Sequence, residues 1–150
     1  MKVVNIMSPG PVCCTTDTPL RDAAAWMVEL DCGAIPVVDS AESRRPLGVV
    51  TDRDIVCRTL AMGRNALDLT VAACMSKPAV TVTPGMEVDE CCRVMERHKV
   101  RRVPVVDTDG VCCGIVSQAD VATKASTSQA ARVLKNVSQL SATSSSVRTR

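Results

Sequence analysis

Two tetrads in this chain carry side chains that could do chemistry, Thr51-Asp52-Arg53-Asp54 and Ser117-Gln118-Ala119-Asp120. Each opens a predicted helix after an apolar run, and each has a glycine three residues before it, Gly48 and Gly114. A hydroxyl at the head of a helix can donate to a phosphate where free backbone amides gather. A carboxylate three residues on can accept both hydroxyls of a ribose, as acids do in other nucleotide folds. The same pattern is also a capping box, in which hydroxyl and acid satisfy the amides of the first turn. Cap and ligand roles are compatible, so the pattern marks a place without deciding its use. Arginine distinguishes the two places. Arg53 lies inside the first tetrad, where the second has Ala119.

The tetrads belong to a repeat that runs through most of the chain. Met7-Ser8 returns as Met75-Ser76, and Ile35-Pro36-Val37-Val38-Asp39 returns as Val103-Pro104-Val105-Val106-Asp107, both 68 residues on. Gly48–Ile55 returns as Gly114–Val121 after only 66, so the first copy holds two extra residues in the loop around Ser40–Pro46. A unit built twice packs against itself, because neither copy can bury its apolar face alone. Such pseudo-twofold packing makes two related clefts.

The elements that must position the tetrads follow the same order in each copy. Short strands are predicted at Val12–Thr15 and Val80–Thr83, each leading into a helix. Thr18-Pro19 and Thr83-Pro84 are the expected helix starts, since threonine caps free amides and proline suits the first turn. Leu20, Ala23, Ala24, Met27 and Leu30 keep helical spacing, as do Val88, Cys91, Cys92 and Met95. Ile35–Val38 with Leu47–Val50, and Val103–Val106 with Val111–Val116, read as strand pairs. The second pair is closed by the hairpin signal Asp107-Thr108-Asp109-Gly110. The expectation is an α/β fold of two pseudo-symmetric repeats, strand–helix–strand–strand–helix each, over residues 7–63 and 75–125. In the remaining stretch, 126–150, Ala130, Val133, Leu134, Val137 and Leu140 predict one more amphipathic helix. Residues 141–150 are rich in Ser and Thr without an apolar stripe, and read as a disordered tail.

Composition narrows the function classes. Apolar residues make up 46% of the chain and aromatics 1%, a single Trp26, so the core must be aliphatic. Modules that stack bases on aromatic rings are disfavoured. A net charge of +2 provides no strong basic field for nucleic acid or membrane. With no secretory start and no apolar run near 18 residues, a cytoplasmic protein is expected. Nine cysteines stand as the pairs Cys13-Cys14, Cys91-Cys92 and Cys112-Cys113 and as single Cys32, Cys57 and Cys74. No C-x-x-C occurs and His98 is the one histidine, so zinc-ligand spacing is missing. Reduced thiols used as small apolar residues fit this pattern, with redox sensing or metal response as the alternative. Catalysis finds little support, since no nucleophile elbow and no further acid pair exists.

The paired Gly-h-h-[Ser/Thr]-x-x-Asp-h segments, the h-Pro-Val-Val-Asp strands and the run Arg101-Arg102-Val103-Pro104 resemble the tandem CBS domain, or Bateman module. The resemblance covers about residues 3–125. It implies a pseudo-symmetric, non-catalytic regulatory unit that binds AMP, ADP or ATP, in some members NAD or S-adenosylmethionine, and that associates into homodimers. It further implies that each tetrad works across a cleft with the other repeat. One site would join Thr51, Arg53 and Asp54 to Thr83, Arg101, Arg102 and Val103, and the other Ser117 and Asp120 to Thr15, Gly33, Ala34 and Ile35. Asp54 and Asp120 would hold ribose, and Thr51 and Ser117 phosphate. The first site gathers three arginines; a solvated basic face is the plain alternative for Arg101-Arg102. The second has Ala119 and Gly33-Ala34 at the matching positions and lacks fixed positive charge. The expected partners are an adenosine-containing small molecule, a second copy of the chain and a downstream protein, with neither nucleic acid nor membrane. The rival readings are a cysteine-based redox or metal sensor on this scaffold, and a dimerisation module with empty clefts.

Overall fold

The computed structural model of the chain describes residues 1–139; Leu140 and the stretch 141–150 lie outside the described residues. The elements run β1 (Ser8–Pro9), β2 (Cys14–Thr15), α1 (Leu20–Glu29), β3 (Ala34–Val38), β4 (Pro46–Thr51) and α2 (Asp52–Arg58). After three short 3-10 turns come α3 (Val88–His98), β5 (Arg102–Val106), β6 (Cys112–Ser117), α4 (Gln118–Lys124) and α5 (Thr127–Ser138). This is the α/β architecture expected of two repeats, with helices packed on two small sheets. Among the described residues no helix is long and apolar enough to cross a membrane.

Apolar runs and helical periodicity place most elements. In both copies the apolar strand pair closes antiparallel, Ala34 to Thr51 opposite each other in one and Arg102 to Ser117 in the other. The Asp107 carboxylate accepts the amides of Asp109 and Val111, and Gly110 takes φ +78°, so the second pair turns where its hairpin signal stands. Two expectations are corrected. The helices open at Leu20 and Val88, 68 residues apart, on the first residue of each apolar stripe rather than on a threonine cap. The Thr18 hydroxyl accepts from Thr15 N at 3.0 Å instead of from a helix amide, and Thr83 closes a turn by accepting from Met86 N at 3.1 Å. Thr83 is the counterpart of Thr15, so its neighbouring proline never marked a helix start. The strand expected at Val80–Thr83 shrinks to a single parallel bridge between Val82 and Val105.

The two sheets are completed by exchange. β1 lies in the first copy but pairs with β6 of the second, Ser8 opposite Ile115. In return Ser76 bridges to Val49 of the first copy, with Val49 N to Ser76 O at 3.0 Å. The residues ahead of each crossing follow it inward. Val3 and Ile6 are fully buried in the core of the second repeat, while Val71, Cys74 and Met75 fill that of the first. Full burial of an aliphatic side chain contributes about 1.5–3 kcal/mol, so these short segments hold the halves together. The crossing also explains the two glycines ahead of the tetrads. A Cβ on Gly48 would stand 2.2 Å from the Ser76 carbonyl oxygen, and one on Gly114 would stand 2.7 Å from Met7 Sδ.

α5 breaks the symmetry. It packs on α3 and α4 with Val133 and Val137 buried, and Arg132 ties it to Glu96 at 2.8 Å and Asp89 at 3.5 Å. Its start is a capping box of Ser126 and Gln129. Ala23, Met27, Cys91, Cys92 and Met95 all sit inside the two cores, so they are not the surface on which the expected homodimer could form.

Candidate functional site

The first tetrad sits at a strand-to-helix corner where β4 runs into α2. Thr51 Oγ1 accepts from Asp54 N at 3.0 Å, and Asp54 Oδ2 accepts from Thr51 N at 3.0 Å, which is the reciprocal capping box. The corner opens on a cleft of about 480 Å3 between the repeats. Thr51, Arg53 and Asp54 line it from the first repeat, and Arg101 and Arg102 from the second. Lys99 adds a fourth cation. Val49, Ala79, Val80, Val100 and Val137 form an aliphatic wall. Such a cavity can hold a flat apolar group against the wall and an anionic group among the cations. α2 has seven residues and its early amides are partly taken, Asp54 N by Thr51 and Arg53 N by Asp52 Oδ1 at 2.8 Å. Any phosphate would therefore be held by side-chain charge rather than by the helix terminus.

Not every residue singled out in the sequence reaches this cleft. Val103 is fully buried in the core behind β5, and Thr83 is exposed at its turn and absent from the lining. Their places are taken by Val80 and Val100. Ser76, Pro78, Lys99, the end of α5 (Val137 and Ser138) and Gln139 just beyond it also line the cleft and carry no chemical signature in the sequence. Ser76 could have been found through the repeat, since it marks the crossing strand, and its hydroxyl donates to Asp54 Oδ1 at 3.2 Å. Lys99 follows α3 in a left-handed conformation, φ +54°, matched by Asp31 at +50° in the first copy. It donates to the Asn136 carbonyl of α5 at 2.7 Å.

The second tetrad is folded alike and bonded differently. Ser117 Oγ both accepts from Asp120 N at 3.1 Å and donates to Asp120 Oδ2 at 2.6 Å, so its proton is committed within the corner. Among the described residues Thr51 Oγ1 acts only as an acceptor, which leaves its proton for a ligand. Asp120 Oδ1 takes Lys124 Nζ at 3.0 Å, and Lys124 also donates to the Ile6 carbonyl at 2.9 Å. Burial pushes the Asp120 carboxyl up, but the Ser117 hydroxyl and Lys124 outweigh it and hold it below its usual range. Gly33 stands against Asp52, with a would-be Cβ 2.8 Å from Asp52 Oδ2, while Ala34 and Ile35 are buried in β3. Thr15 is bonded to Thr18.

The CBS domain profile matches residues 3–58 and 71–127, one match for each repeat. The chain is a tandem CBS domain protein. Protein MK0525 of Methanopyrus kandleri is 35% identical over 109 residues, 71% of this chain but 55% of its own length, so the CBS pair spans about half of that relative. Among solved structures, Hypoxic Response Protein I with two coordinated zinc ions superposes with a TM-score of 0.73 at 35% identity, covering 83% of this chain and 98% of that one. CBSX2 in complex with AMP superposes with a TM-score of 0.68 at 25% identity, covering 81% and 93%. Among the described residues of this CBS pair, no group of three His, Cys, Asp or Glu side chains converges as a metal site would require. α5 lies outside both CBS matches except for its first residue.

Proposed function

We propose that this CBS pair is a non-catalytic regulatory module that binds a phosphate-bearing adenine nucleotide, of AMP, ADP or ATP type, in the Thr51–Asp54 cleft. The observation that carries the reading is the convergence of Arg53, Arg101 and Arg102 on a corner that also offers the Thr51 hydroxyl and the Asp54 carboxylate. In this reading Asp54 accepts the ribose hydroxyls, the arginines and Thr51 hold phosphate, and Val49, Val80 and Val100 pack against adenine. The AMP complex of the related CBSX2 supports the ligand class. The Asp120 corner, with its hydroxyl proton already engaged and Ala119 and Gly33-Ala34 where the first corner has arginines, binds more weakly or takes an adenosine portion whose charge lies elsewhere, as in NAD. The module acts in the cytoplasm as a homodimer and signals to a downstream protein.

Calorimetry with AMP tests the assignment. Loss of one charge-assisted contact costs about 1.5–3 kcal/mol, or roughly ten- to a hundredfold in affinity. Asp54→Ala abolishes the tighter binding event and Asp120→Ala leaves it nearly intact, while Arg102→Ala weakens AMP far more than adenosine. Loss of the tight event in Asp120→Ala instead would show the two corners to be assigned in reverse. No heat with AMP, ATP, NAD or S-adenosylmethionine, and no gain in thermal stability, would remove the reading.

A further inference from the structure

Outside the cleft, a second cluster joins the two repeats through sulfur. Cys13 precedes β2 by one residue, and Cys112 is the first residue of β6. Arg44 brings them together. Its carbonyl accepts Cys112 N–H at 2.9 Å, and its guanidinium Nη2 reaches Cys13 Sγ at 3.5 Å and the Pro11 carbonyl at 2.9 Å. Arg44 lies in the loop that is two residues longer than its counterpart and adopts φ +51° to make this turn. Gly10 N donates to Cys113 O at 3.0 Å, which fastens the strand entering Cys13 to β6. The extra length of the first copy thus has a structural use: it ties the Cys13 thiol of one repeat and the Cys112 backbone of the other to a single arginine.

The two thiols differ as a nucleophile and its resolving partner must. Cys13 is half-buried and Cys112 is 3% exposed. The neighbouring Cys112 thiol and the Arg44 charge stabilise the Cys13 thiolate and bring it down to about 7 against the opposing effect of burial. Cys112 Sγ donates to the Gly114 carbonyl at 3.6 Å and Cys13 Sγ contacts the Pro11 carbonyl at 3.5 Å, and the neighbouring Cys13 together with burial keeps Cys112 protonated well above the ordinary thiol range. Burial pushes Cys14 and Cys91 up to about 12, which makes them inert core residues. Among these thiols Cys13 is therefore the one favoured as thiolate, with Arg44 Nη2 against its sulfur.

We propose that Cys13 is a peroxide-reactive thiol that Cys112 resolves into a disulfide linking the two repeats. The Cys13 thiolate attacks one oxygen of a hydroperoxide; the S–O bond forms, the O–O bond breaks, and the leaving hydroxide or alkoxide is protonated. Cys112 then loses its proton and attacks the sulfenic sulfur; the S–S bond forms and hydroxide departs as water. The peroxide is reduced by two electrons, the thiol pair is oxidised by two, and a dithiol reverses the change. This site does not depend on nucleotide binding.

Reduced full-length protein treated with one equivalent of hydrogen peroxide, blocked with N-ethylmaleimide and digested with trypsin tests the proposal. The expected product joins peptide 3–21 to peptide 103–124. The link survives in Cys14→Ser and Cys113→Ser and is lost in Cys13→Ser and Cys112→Ser. In Cys112→Ser a dimedone adduct accumulates on Cys13. Iodoacetamide alkylation of Cys13 rises through a midpoint near pH 7, and Arg44→Ala moves that midpoint upward. A link through other cysteines, sulfinic acid at Cys13 without a link, or no dimedone adduct in Cys112→Ser would overturn it. So would an alkylation midpoint untouched by Arg44→Ala.

Discussion

Thr51 and Ser117 hold one position in two copies of the same corner, yet the protons on their hydroxyls go to different places. Ser117 donates to Asp120, so its hydroxyl serves the fold, while both acids carry an i,i+4 cation, Lys124 on Asp120 at 3.0 Å and Arg58 on Asp54 at 3.8 Å. A pH dependence follows. Asp120 titrates below its usual value, so its stabilising contribution is complete above the unfolded carboxyl value of about 3.9 and is lost as pH falls through the lower folded value. Asp120→Asn lowers stability in urea by about 0.5–1.5 kcal/mol at pH 7, and the gap to the parent protein closes in strong acid, where the parent is itself protonated. A gap that stays constant to pH 2 would mean that the charge contributes nothing. The tetrads were legible in sequence because hydroxyl, acid and glycine recur together. Their inequality was legible only in part, through Ala119 and Gly33-Ala34. Proton direction depends on side-chain rotamers, which residue types do not specify.

Helices show why a repeat in sequence need not be a symmetry of surfaces. α5 covers α3 and α4, whereas Val28 on α1 and Val56 on α2 stay 85% and 53% exposed, and Leu60 and Met62 in the 3-10 turn after α2 stay 74% and 70% exposed. The proposed homodimer fits this uncovered face of the first repeat. Val56→Asp shifts the protein from dimer to monomer in light scattering at tens of micromolar and leaves its fold, read by circular dichroism, unchanged. A parent protein that is monomeric at that concentration would remove the dimer. Periodicity announced α5 through Val133 and Val137, but no sequence period states which neighbours a helix covers or that its end lines a cleft. Thr83-Pro84 misled for a related reason. A cap-like dipeptide has the same form in a turn as at a helix start, and the apolar stripe beginning at Val88 decides between them.

At the scale of the molecule, the exchanged opening segments set the logic of assembly. Apolar runs predict strands well, but they do not say which sheet a two-residue strand will join; only the glycines at 48 and 114 hinted at a close crossing. Val3 and Ile6 complete the core of the second repeat and Val71, Cys74 and Met75 that of the first, so each half carries a piece of the other. The peptide that connects them, near Gly63, makes no part of either core. Cutting the chain there and producing residues 1–63 and 64–150 as separate polypeptides should yield two pieces that fold only in each other's company. They would purify as a one-to-one pair and fail singly, and a soluble, folded 64–150 fragment on its own would contradict this. The molecule is in that sense a reciprocal graft, and it could be divided between two fusion partners as a reporter of their encounter.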